Sequence, residues 1–102
     1  QLFSTLQPQD LADIVKRVTM EFDQTDVAAM IAQVISNFTT YHVVSLLRTL
    51  ATWTRIQLVQ RLLPYCKDIS TNSSVILADL TDWEKVCTES DFKIAIDSRM
   101  AL

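Results

Sequence analysis

Glycine is missing from this sequence altogether. That excludes the glycine-rich phosphate cradles of the P-loop and of the dinucleotide fingerprint, and the calcium loop with its central glycine. It also disfavours sheets joined by tight primed hairpin turns. Histidine occurs once, at position 42. A zinc site needs more ligands at set spacings, and any serine nucleophile has this one imidazole as its only histidine base. Cysteine occurs twice, and the spacing of Cys66 and Cys87 matches no metal or redox motif. Basic residues are outnumbered, with nine Lys and Arg against twelve Asp and Glu, for a net charge of −3. Nucleic-acid binding and polybasic attachment to membrane surfaces are therefore not expected. No apolar run is long enough to cross a bilayer, and no signal-peptide pattern is visible. The chain opens on Gln1 rather than Met, which reads as a processed product or an excised piece of a larger protein.

What the sequence does have is apolar material, 49% of its 102 residues. That suits one modest core and a single domain spanning 1–102. The apolar residues recur in order. Leu6, Phe22, Phe38 and Trp53 stand 16, 16 and 15 residues apart, each followed by four mostly polar residues. Five residues after each marker come Leu11, Val27, Val43 and Leu58. Nine after come Val15, Ile31, Leu47 and Leu62. Twelve after come Val18, Val34, Leu50 and Tyr65. Steps of four and three put each trio on one helical face. The first two-thirds thus reads as four short helices.

Pro8 suits a first helical turn, where its missing N–H costs nothing. Asp23, Thr39 and Thr54 are expected caps, each after an aromatic marker that folds back on the helix it precedes. Pro64 is expected to end the fourth helix near Leu63. The polar stretch 67–74 reads as a connector. A fifth helix is expected at Val75–Leu80, with Thr81, Asp82 or Ser90 capping further turns, and a sixth from about Ser90-Asp91. The fold class is all-α, a compact bundle of five or six short helices on a 15–16-residue repeat.

These residues resemble a known family. Asn37-Phe38-Thr39-Thr40-Tyr41-His42-Val43 is similar to the phenylalanine–threonine turn entering a helix in the domain of unknown function 4476. Trp53–Leu63 resembles its next repeated helix. Asp68–Asn72 followed by Val75-Ile76-Leu77 resembles its aspartate-containing loop and short helix, and Ser90-Asp91-Phe92-Lys93 the opening of its last helix. The resemblance covers about residues 10–97. It implies a small helical domain and supplies no catalytic residues.

The residues themselves argue against an enzyme. His42 reads as a solvated or capping residue. Asp23 with Asp26 and Asp79 with Asp82 fall at expected helix ends, where capping accounts for them. No catalytic, cofactor or metal residues are assigned. Arg48, Arg55 and Arg61 form a loose basic group, and Val44, Ile56 and Val59 fall off the shared apolar stripe. Together these six are the candidate partner surface. Cys66 and Cys87 are a candidate disulfide, worth about 3 kcal/mol through loop closure. Asn37-Phe38-Thr39 and Asn72-Ser73-Ser74 are candidate glycosylation sequons in expected turns. Together these features lean towards a secreted or surface protein, with a cytoplasmic one as the alternative. The function expected is a non-enzymatic protein–protein interaction module binding another protein or a copy of itself. The alternative is a carrier of a small apolar ligand or lipid within the bundle.

Overall fold

The computed structural model of the chain describes residues 5–18, 21–50 and 55–100, without the side chains of 21, 22 and 100. The described residues form six α-helices: α1 (Pro8–Lys16), α2 (Glu21–Val34), α3 (Thr40–Thr49), α4 (Arg55–Leu62), α5 (Ile69–Leu77) and α6 (Asp82–Met100). A 3-10 turn, Leu63–Tyr65, follows α4 and contains Pro64, so the proline stops the helix as expected. Of the residues set as markers and caps, Trp53 and Thr54 lie outside the described residues, as does the Phe22 side chain.

The α3 helix sits in the middle, against α1 on one side and α5 on another. The α2 helix packs on α1 and α4, and α6 packs on α4 and α5. The core runs through Leu11, Phe38, Leu46, Leu58, Leu62 and Ile76, all fully buried. In the α1, α3 and α4 regions most of the expected positions are buried, namely Leu11 and Val15, then Val43, Leu47 and Leu50, then Leu58 and Leu62, whereas Val18 and Tyr65 are only partly buried.

The α2 helix breaks the repeat. Its buried residues are Thr25, Ala28, Ala29 and Ala32, while Val34 is 64% exposed and Val27 and Ile31 are only partly buried. Positions 25, 28, 29 and 32 follow the i, i+3, i+4, i+7 spacing of one helical face. Small side chains on that face bring the α2 backbone close to α4, and the larger residues are left at the flank and outside. Asp23 lies within α2 rather than at its cap, because the helix starts at Glu21.

The second half departs from expectation in its boundaries. The stretch 67–74 is not a connector: α5 begins at Ile69, with a kink at Asn72 where φ is −121° and ψ 22°. Asn72 donates from Nδ2 to Asp68 Oδ2 at 2.9 Å, the kind of local side-chain bond that competes with regular helix. The last helix starts at Asp82, not near Ser90. Thr81-Asp82-Trp83-Glu84 is a reciprocal capping box: the Thr81 N–H donates to Glu84 Oε1 at 2.9 Å and the Glu84 N–H to Thr81 Oγ1 at 3.2 Å. Ser90 is exposed in the body of the 19-residue α6.

Candidate interaction surface

His42 occupies the first turn of α3, directly after the turn that Phe38 anchors. It is not solvated; it is 2% exposed, with its ring stacked on Phe38 at 5.3 Å between centroids. The Thr39 N–H donates to Nδ1 at 3.1 Å, which makes Nδ1 an acceptor and leaves the ring hydrogen on Nε2. Nε2 then donates to the Leu6 carbonyl at 2.6 Å. The ring takes the place that glutamate or glutamine holds in the usual capping box. Asn37 meets the same carbonyl: Nδ2 donates to Leu6 O at 2.9 Å, and Leu6 N–H returns a bond to Oδ1 at 3.1 Å. The segment before α1 is thereby held to the α2–α3 turn by three hydrogen bonds.

Of the six residues expected to form a partner surface, the apolar three are largely covered. Val44 and Val59 are buried, and Ile56 is partly buried. Both valines lie where α3 and α4 meet their neighbours, so the apolar stripe of each helix is wider than the repeat alone implied. Each arginine has an acidic partner. Arg48 pairs with Asp79 at 3.0 Å and Arg61 with Asp26 at 2.7 Å. Arg55 is the most enclosed. It reaches Glu84 at 2.9 Å and donates to the carbonyls of Leu47 at 3.1 Å and Asp79 at 2.6 Å. One guanidinium thus joins the end of α3, the turn after α5 and the start of α6. Burial raises the Glu84 pKa, but hydrogen bonds from Arg55 and the Thr81 N–H, with the arginine's charge, bring it below the ordinary carboxylate value.

Asp68 performs a similar task between α3 and α5. Its carboxylate accepts from Thr40 N–H and Thr40 Oγ1, both at 2.8 Å, and from Asn72. Burial pushes its pKa up, and these donors outweigh burial and leave it lowered.

The expected disulfide is absent. Cys66 and Cys87 are both free thiols and do not lie at bridging distance. Cys66 is buried after the 3-10 turn, its thiol donating towards Leu62 O at 3.6 Å, whereas Cys87 is half-buried on α6. Burial first, and then the charge of Asp68, push the Cys66 thiol far up, against a smaller opposing effect of Arg99. Of the two sequon asparagines, Asn37 stands in the α2–α3 turn as expected and Asn72 does not stand in a turn. The Nδ2 atom of Asn37 is bonded to Leu6 and that of Asn72 to Asp68, and Asn72 is inside α5.

What the fold leaves open is an apolar groove between α1 and α2. Leu6, Ile14, Met30, Ile31 and Val34 line a depression of about 340 Å³ with no polar surface. Met30 is 65% exposed, Val34 64% and Ile14 38%. The groove follows from the rotation of α2: once its alanine face turns inward, its larger apolar residues are left beside α1. A second depression, lined by Thr25, Asp26, Gln57, Gln60 and Arg61, is polar and carries the Arg61–Asp26 pair. The described residues contain no cluster of three or more metal-ligating side chains, and none of their helices is long and apolar enough to cross a membrane.

Comparison with curated proteins and with solved structures gives no match. The family model described as "Domain of unknown function (DUF4476)" matches residues 2–90, from the segment before α1 to the middle of α6. This match covers most of the chain, and the protein belongs to the DUF4476 family.

Proposed function

We propose that this domain is a non-enzymatic interaction module that docks another protein in the groove between α1 and α2. The observation that carries this reading is the groove's lining: among the described residues it is apolar throughout, and Met30 and Val34 in it are about two-thirds exposed. Apolar surface gathered in this way is a typical protein-binding site. The single histidine supports the non-enzymatic part, because both ring nitrogens are engaged with backbone groups. The exposure of Met30 and Val34 favours a protein over an enclosed small ligand, which pockets usually bury on most sides.

The test is affinity capture from source cells with the wild-type domain and with the M30E/V34E variant. Both positions face solvent, so the variant is expected to keep the wild-type helicity and melting temperature. A protein retained by the wild type and lost by the variant supports the proposal. Identical retention by both sinks it.

A further inference from the structure

We infer that the groove is filled by Trp83 of a second copy of this chain, so that copies associate head to tail; this rests on the docking role proposed for the groove. Trp83 is 69% exposed, the highest exposure among the large apolar side chains of the described residues. It stands in the first turn of α6, where the Thr81–Glu84 capping box and the Arg55–Glu84 pair fix the backbone. An aromatic side chain on a rigid element loses little freedom when it docks. Val86 and Ile94, each 65% exposed, continue the outward face of α6, opposite the side that buries Thr88, Phe92 and Ala95. This helix is therefore apolar on two opposite faces, and its neighbours in the fold cover only one.

The groove is the complementary half. It has room for one large aromatic side chain and an apolar lining throughout. Charge complements shape. Asp82, beside Trp83, is exposed and takes part in no ion pair. Arg17, which caps the C-terminal end of α1 three residues beyond Ile14, is likewise exposed and unpaired, whereas Asp10 lies one turn before Ile14. Entry of Trp83 with Asp82 towards the Arg17 end sets opposite charges together and keeps Asp82 from Asp10.

The α6 helix shares no substantial interface with α1 or α2. Knob and groove thus belong to different faces of one molecule, and each copy uses its knob on the next. That is a heterologous contact, which builds open chains or closed rings. A two-fold pairing of α6 with α6 is the competing arrangement. That arrangement leaves the groove empty, so substitution of Met30 and Val34 does not affect it.

The experiment is sedimentation equilibrium of the purified chain from about 10 μM to about 1 mM, the range suited to a small transient interface. The wild type is expected to rise in mass beyond a dimer as concentration increases. W83E and M30E/V34E are each expected to weaken association by about 30-fold or more, as loss of a central anchor does. Mixed together, the two variants keep one intact knob and one intact groove between them, and are expected to form a heterodimer that grows no further. W83A replaces W83E if the glutamate unfolds the domain.

A wild type that stays monomeric throughout overturns the inference, as does a W83E protein that associates normally. Single variants that are monomeric and remain so when mixed also overturn it, and an M30E/V34E protein that associates normally overturns it in favour of two-fold pairing of α6. A monomeric wild type alongside a protein captured in the groove-dependent manner described above removes self-association and leaves the docking role standing.

Discussion

Asn37 and His42 illustrate how much one residue can be asked to hold. Three hydrogen bonds join them to the backbone of Leu6, and a fourth joins His42 to the Thr39 N–H. Removing the imidazole leaves the Leu6 carbonyl with one fewer donor and the Thr39 N–H without its ring acceptor, beside a void against Phe38. A group left unsatisfied in this way costs about 1–3 kcal/mol. The H42A variant is therefore expected to lose about 2–3 kcal/mol in a urea titration. N37A is expected to lose a similar amount. A change below about 0.5 kcal/mol, the range of neutral surface substitutions, would show that the segment before α1 adds nothing to the fold. The sequence marked both positions for other reasons, one as a sequon and one as a lone histidine. Their true work depends on Leu6, more than thirty residues away in the chain, and no local pattern announces it.

At the scale of elements, helix type and number were legible because apolar residues recurred at helical spacing. Boundaries were less so. The start of α6 was written plainly in Thr81-Asp82-Trp83-Glu84, a capping box of the threonine-x-x-glutamate form, but Ser90-Asp91 carries a similar local signal. The first of these wins because Arg55 reaches across from α4 to hold Glu84 in place. A local rule cannot see that contact. The T81A variant removes one side of the box and is expected to cost about 1 kcal/mol, with the loss concentrated in the first turn of α6. Thermal unfolding checks the magnitude, and amide exchange at Trp83 and Glu84 checks the place. Unchanged exchange there would mean that Arg55 alone secures the helix start. The α5 helix shows the opposite case. Its polar opening, Ser70 to Ser74, has a poor intrinsic preference for helix, and the Asp68 anchor with Ile69 and Ile76 in the core overrides it.

At the scale of the molecule, two partly buried carboxylates tie elements together, Asp68 between α3 and α5 and Glu84 between α4 and α6. Both have pKa values lowered in the fold. A group lowered in this way contributes fully above its ordinary value, 3.8 for Asp68 and 4.5 for Glu84, and loses that contribution as pH falls through the folded value. Stability is thus expected to decline below about pH 4.5 as the two groups take up protons. In D68N and E84Q the neutral-pH stability drops and the acid decline is shallower. Urea titrations at pH 7 and at acid pH measure both effects. Variants with the wild-type slope would assign acid sensitivity to other groups.

By itself the sequence determined that the chain is all-α, that it carries one core, that no glycine-dependent ligand cradle exists, and which family it belongs to. Those properties rest on composition, on periodicity and on short-range spacing, all of which are local. Only the tertiary structure decided which face of α2 turns inward. Its sequence offers two apolar faces, one of valine and isoleucine and one of threonine and alanine, and either satisfies helical spacing. The small face is buried because it lets α2 approach α4 closely, and the depth of that contact belongs to the pair of helices rather than to either alone. The groove beside α1 follows from that choice. The expected surface on Val44 and Val59 disappeared for the same kind of reason: a residue's exposure depends on what packs over it, and that is decided by neighbours distant in sequence.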